Sequence, residues 1–361
     1  MGDYYVLGVI PHVIECTKIL SSHDNGTGTN DWLFVTNEVL YYIYPVFIGL
    51  ALIFTLLNSI VTSKMATDSH ECYLAAFNVL SFLLVLCSAA IHLPTYVPLE
   101  QNPYYYSLGM WQGLPYVMVL ENWCLYSCTW LLAMAVIERV GHSMCGQWHA
   151  SFGRLHGILA SILMLVICFV CSLPQYWEYE LSEVTDQYGS HNCTRMVVAP
   201  LDSVVDTTGG YISQYYYYHW VMVIFSVALP YLVLPIILPP MCCRKMHTYS
   251  ALSGNGHIST YADDHITSKD YMKDEKNFNH LLGVIVMIYL VLSAPRNALR
   301  VVHNPPLFMQ ICENDLLADT ITILSDVLFY FMFSILYLFN LCCYPKFRRA
   351  LHSLRCTRCR K

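Results

Sequence analysis

The residues of this sequence that could do chemistry are charges placed inside long apolar runs. Glu121 and Arg139 stand 18 positions apart in one such run. At 3.6 residues per turn that is five whole turns, so the two share one helix face roughly 27 Å apart. Arg296 and Arg300 lie four apart in another run and share a face there. Asp326 sits ten residues into a third run, about 15 Å from its end in a helix. An ionised group in such a setting is costly and is by default functional, pairing with another charge or marking a binding site. Two readings of Glu121 follow: it meets the cation of a ligand, or it neutralises Arg296 or Arg300. Asp326 has the same choice among Arg300, Arg296 and a ligand cation. Two acids and two bases in one pocket leave its net charge open.

The elements that position these groups follow from composition. Charged residues make up 12% of the chain, about half the roughly 25% of a soluble protein. Too little charge remains to coat a water-facing surface. A soluble enzyme, a disordered chain and a nucleic-acid binder are excluded, and the net charge of -6 supplies no global basic field. Apolar runs of 18 or more residues occur seven times, over 41–63, 73–96, 115–140, 155–176, 216–243, 279–302 and 316–341. Each must be a helix, because a lone segment in lipid has to satisfy its own backbone hydrogen bonds. The expected fold class is an all-α membrane protein, a bundle of seven transmembrane helices over 41–341. An N-terminal segment precedes it over 1–40, and a short amphipathic eighth helix with a tail follows over 342–361.

Positive charge orients the bundle. With the N-terminus outside, 15 of the 19 Lys and Arg fall on the cytoplasmic side, and only Lys18 and Arg195 lie clearly outside. The sequons at Asn25 and Asn192 agree with that orientation as glycosylation sites. No basic stretch precedes the short apolar run near the N-terminus, so a cleaved signal peptide is not expected and the first span acts as its own insertion signal. The polar stretch 247–276, within the loop 244–278, reads as a flexible cytoplasmic insert. Asp and Glu crowd the N-terminal segment and the outer loops, a field that attracts cationic ligands.

Several residues at ordered positions carry a family resemblance. Asn58 lies in span one, and Leu74-Ala75-Ala76-Phe77-Asn78 in span two matches a Leu-Ala-x-x-Asp pattern with Asn in place of Asp. Glu138-Arg139-Val140 ends span three, Pro230 and Pro295 fall within spans five and six, and Lys346-Phe347-Arg348-Arg349 follows span seven. As an ordered set these resemble the rhodopsin-like (class A) G-protein-coupled receptors, in particular divergent invertebrate peptide receptors of the FMRFamide-receptor-like group. The resemblance implies an Arg139 latch at the G-protein face, an extracellular peptide ligand, a heterotrimeric G protein as partner and residence in the plasma membrane. It also makes Glu121 the counterpart of the carboxylate with which amine receptors hold an ammonium. The sequence departs from the family in the six-span motif, here Leu292-Ser293-Ala294-Pro295 without its aromatic residue, and in span seven, which reads Leu336 to Asn340 where the family has Asn-Pro-x-x-Tyr.

Glu138 beside Arg139 supplies a local neutral pair that limits the cost of burying the arginine. Cys356 and Cys359, among basic residues past the eighth helix, read as palmitoylation sites contacting membrane lipid. Clusters such as 104–106 and 215–218 are tyrosine runs of an interfacial belt. The histidines are spread over four spans, so neither a metal nor another cofactor is expected, nor an enzyme. The expected function is a receptor for a cationic neuropeptide, with a biogenic amine receptor as the nearer alternative and a seven-span enzyme or transporter as the alternative of another class. The charge partition yields one test: an epitope placed in the insert 247–276 stains only permeabilised cells, and staining of intact cells overturns the orientation.

Overall fold

The computed structural model describes residues 31–66, 68–92, 103–144, 154–173, 179–188, 191–200, 220–243, 268–302 and 315–358. Its helices are α1 (Asp31–Met65), α2 (Ser69–His92), α3 (Pro103–Met144), α4 (Arg154–Ser172), α5 (Leu229–Cys243), α6 (Ser268–Val302), α7 (Asp315–Cys343) and α8 (Pro345–Arg358). Seven stretches are long and apolar enough to cross a membrane: Tyr42–Met65, Ser69–His92, Tyr116–Gly141, Arg154–Ser172, Trp220–Pro239, Phe278–Leu299 and Thr320–Cys343. Large apolar side chains stay exposed along them, among them Leu163, Val170, Leu232 and Ile236. Water would not tolerate so large an apolar surface, and lipid covers it. The chain is a multi-pass membrane protein.

Helix α3 is the axis of the bundle and touches α2, α4, α5 and α6, while α1 packs on α2, α7 and α8. Tyr289, Tyr330, Phe77, Phe329 and Phe333 are the largest fully buried side chains between them. Outside the helical bundle an antiparallel hairpin, β1 (Tyr179–Tyr188) and β2 (His191–Pro200), joins α4 to α5, with Tyr188 opposite His191 at its closed end. Val184, Thr185, Val197 and Val198 are the strand-forming residues of a stretch that has no helical period.

Helix bounds differ from the apolar runs where polar residues are buried. Helix α2 begins at Ser69, four residues before the run does, because Ser69, His70 and Glu71 are buried against other helices. Helix α6 begins at Ser268, within the stretch read as a flexible insert. A π-helical turn at Ile224–Ala228 precedes Pro230. Pro230 has no N–H to donate, and its ring would crowd the carbonyl four residues back in a regular helix, which the wider turn relieves. Helix α8 is amphipathic: Phe347 is buried, Ala350, Leu351 and Leu354 are half-buried, and Arg348, Arg349, His352 and Ser353 are exposed.

One close approach fixes α4 against α2. A Cβ on Gly157 would lie 2.6 Å from the Ser69 Cα and 2.7 Å from its carbonyl oxygen. Neither backbone atom can yield without moving a helix. Gly157→Ala is expected to destabilise the bundle by about 1 to 3 kcal/mol, the range for overpacking, read as a lower midpoint of thermal unfolding in detergent; an unchanged midpoint overturns this contact.

Candidate functional site

At the end of the bundle where α3 begins, three charges from three helices meet. Arg296, the residue after Pro295 on α6, places Nη2 2.5 Å from Glu121 Oε1 on α3 and Nε 3.0 Å from Asp326 Oδ1 on α7. Their side chains are only 7%, 9% and 13% exposed. Ser88 Oγ on α2 donates to Glu121 Oε1 at 2.6 Å, and the Tyr44 hydroxyl on α1 donates to Asp326 Oδ2 at 3.4 Å. The guanidinium carbon lies 4.4 Å from the centre of the Phe329 ring and 5.7 Å from that of Tyr330. Aromatic faces of this kind add attraction to a desolvated cation. His92 packs edge-on against Tyr44 with ring centres 5.3 Å apart. Five helices thus converge on one guanidinium.

Both expected interior acids are in this cluster, and both have Arg296 as partner. The formal charge of Glu121, Arg296 and Asp326 together is one negative. Arg300 lies one turn further along α6, and its side chain lies outside the described residues. Glu121 and Arg139 are each 6% exposed, so the five-turn spacing does put both inside the bundle.

Below the triad, hydroxyls link α3, α5 and α6. Thr129 Oγ1 and the Tyr289 hydroxyl are 2.7 Å apart, Ser293 shares a hydrogen bond with Tyr231, and Asn297 Nδ2 donates to the Tyr231 hydroxyl at 2.7 Å. Ser293 stands in the motif that lacks its aromatic residue. The aromatic bulk comes from Tyr289 one turn away, fully buried and edge-on to Phe77. Asn340 Nδ2 donates to Asn58 Oδ1 at 3.3 Å, while Asn78 Nδ2 donates to the Leu74 carbonyl and the Asn78 carbonyl accepts from Ser59. Asn58, Asn78 and Asn340 therefore stitch α1, α2 and α7 together without a formal charge.

The far end of α3 is organised around Arg139. Its Nη2 lies 2.7 Å from His70 Nε2 on α2, and its guanidinium carbon lies 4.8 Å from the centre of the Phe278 ring on α6. Glu138, expected to pair locally with Arg139, instead accepts from Ser69 Oγ. Helix geometry explains this, because adjacent residues point about 100° apart at 3.6 per turn. Glu71 beside His70 pairs with Lys346 Nζ at 2.5 Å and accepts from the Tyr344 hydroxyl at 3.4 Å, which ties α8 to α2. Donor atoms of Asp68, His70 and Glu71 lie within 4.8 Å of one another. His70 and Glu71 of this group already face Arg139 and Lys346.

His70 was not among the residues singled out from the sequence. Its signal was present: His70, Leu74 and Phe77 repeat at i, i+4, i+7, so the apolar face of α2 extends back to the histidine. Asn25 and Cys359 lie outside the described residues, as do the side chains of Asn192 and Cys356 and the tyrosines of 104–106 and 215–218. Cys342 and Cys343 are exposed at the end of α7.

No protein-family model matches this chain, and no curated protein matches it. The site's own energetics yield the next test. Arg296→Met removes the cation that bridges Glu121 and Asp326, and losing one partner of a buried pair costs about 3 to 5 kcal/mol. Surface expression and thermal stability in detergent should both fall. Asp326→Asn leaves the Glu121 pair whole and should keep both, and equal losses in the two variants count against this arrangement.

Proposed function

We propose that the chain is a rhodopsin-like G-protein-coupled receptor of the plasma membrane, with its N-terminus outside, that binds a cationic neuropeptide and activates a heterotrimeric G protein. The observation that carries this reading is that α6 meets a buried arginine contact at both ends of α3. At one end its own Arg296 reaches Glu121, and at the other its Phe278 lies under Arg139. A ligand that changes the hold on Arg296 changes how α6 is seated, and the same helix forms part of the surroundings of Arg139. Coupling between two sites needs a shared element with two arrangements. Helix α6, continuous over Ser268–Val302 with Pro295 inside it, is the element the two ends share. The acidic N-terminal and outer segments support a cationic ligand, and α8 with Cys356 and Cys359 supports a lipid-anchored cytoplasmic end.

Cells expressing the chain with several G-protein α subunits, challenged with a library of basic neuropeptides, test the reading. A peptide-evoked signal is expected, and Arg139→Ala should abolish most of that signal while surface staining persists. A response to small amines alone would shift the ligand class. Signalling that persists undiminished in Arg139→Ala would remove the proposed role of this arginine.

A further inference from the structure

Helices α2 and α3 run antiparallel and touch through short side chains. Ser81 Oγ lies 3.7 Å from Cys128 Sγ, and Ser88 Oγ donates to Glu121 Oε1 at 2.6 Å, so the step from Ser81 to Ser88 along α2 is matched by the step back from Cys128 to Glu121 along α3. The Cys128 sulfur also reaches the Phe77 carbonyl at 3.8 Å. A side chain of one helix thus meets the main chain of the other. Between these contacts lies a pair of thiols. Cys124 stands one turn from both Glu121 and Cys128 on the same face of α3, and Cys87 is the residue before Ser88 on α2. The Cys87 and Cys124 side chains share a hydrogen bond. Both are free thiols, Cys124 buried and Cys87 half-buried.

Two chemistries use thiols in contact: a soft metal ion and a disulfide. Two thiolates around a monovalent soft ion leave a net charge, which is expensive among membrane helices. No third ligand joins them, because the one group of three donor side chains found among the described residues is Asp68, His70 and Glu71, at the other end of the bundle. A disulfide is uncharged. It needs backbones close together and side chains that face each other. The approach of Cys128 to the Phe77 carbonyl supplies the first and the shared hydrogen bond the second.

We propose that Cys87 and Cys124 are an oxidisable dithiol, which hydrogen peroxide converts to a reversible disulfide between α2 and α3. Cys87, the more exposed, reacts first. Its sulfur attacks one oxygen of the peroxide, the O–O bond breaks, and the thiol proton leaves with the other oxygen as water, giving a sulfenic acid. The Cys124 sulfur then attacks the Cys87 sulfur. The S–O bond breaks and the hydroxyl leaves with the Cys124 proton as a second water, so two electrons have passed from the sulfur pair to the peroxide. A dithiol reductant reverses the link by thiol–disulfide exchange. The cross-link lies beside the Ser88 contact to Glu121 and fixes α2 against α3 at the level of that acid. The proposal does not depend on the receptor reading.

A site-specific protease sequence inserted into the full chain between His92 and Pro103 allows the two helices to be cut apart. Open membranes holding this chain are reduced with dithiothreitol, washed, treated with hydrogen peroxide, capped with N-ethylmaleimide and cleaved. On a gel without reductant most of the cleaved chain should run as one linked species, and with reductant as two fragments. Cys87→Ser and Cys124→Ser should each remove the link, while Cys72→Ser, Cys128→Ser and Cys168→Ser should keep it. A chain denatured in sodium dodecyl sulfate before the peroxide should link far less, since the fold brings the sulfurs together. Digestion of the linked parent chain names the joined cysteines by mass, so the assignment does not rest on variants that might misfold. Fragments that separate without reductant, equal linking in the denatured chain, a link that survives loss of either cysteine, or a mass that matches another cysteine pair overturns the proposal.

Discussion

The constraint on which the structure turns is that a guanidinium buried among membrane helices must be surrounded by acceptors. Arg296 meets it by drawing one carboxylate from α3 and one from α7, then stacking on aromatic faces of α7. The energetic weight lies in the penalty of undoing the arrangement more than in the gain of making it. Taking charges out of water costs several kcal/mol per ion, and the mutual attraction of a buried pair roughly repays it. What the triad supplies is specificity of packing: only one rotation of α3, α6 and α7 lets all three groups meet. The apolar surfaces of these helices could pack in several registers, since lipid is as apolar as their leucines. The charges remove that freedom.

The same logic is repeated in neutral and basic forms down the bundle. Asn340 on Asn58, Ser59 on the Asn78 carbonyl and Thr129 with Tyr289 each tie two helices through one hydrogen bond. Hydrogen bonds between membrane helices average well under 2 kcal/mol each, so these links set register and leave the helices able to shift. At the far end Arg139 rests on a histidine and a phenyl ring. The central helix therefore has a charge triad at one end, hydroxyl and amide links along it, and an arginine at the other end. That gradient places the strongest restraint on α6 at Arg296, next to Pro295.

Much of this was legible in the residues. The number of spans followed from run length, and the burial of Glu121 followed from its five-turn offset to Arg139, given a regular α3 with Arg139 facing the bundle interior. The choice of Arg296 over Arg300 was not legible, because it depends on how α6 is rotated about its axis, and i, i+4 residues occupy the same face at different depths. His70 escaped because an apolar run is counted by hydropathy, while this histidine is buried by its contact with Arg139. Pairing Glu138 with Arg139 was an error of geometry, since neighbours on a helix diverge. Tyr289 escaped because the expected position of its ring was occupied by Ser293, and the compensation comes from one turn away. In each case the missing information was tertiary: rotation, depth, or which helix stands opposite.

An arrangement with two acids around one base has a consequence for how the site can respond. Glu121 and Arg296 alone would tie α6 to α3 only. The second acid, Asp326, ties the same guanidinium to α7 as well. Whatever weakens one of the two contacts loosens α6 from one neighbour while the tie to the other holds. A ligand can shift a conformational equilibrium only by as much as it favours one state over the other. Here the two contacts of one guanidinium decide how α6 is seated between α3 and α7, so a group that bears on either of them bears on that seating.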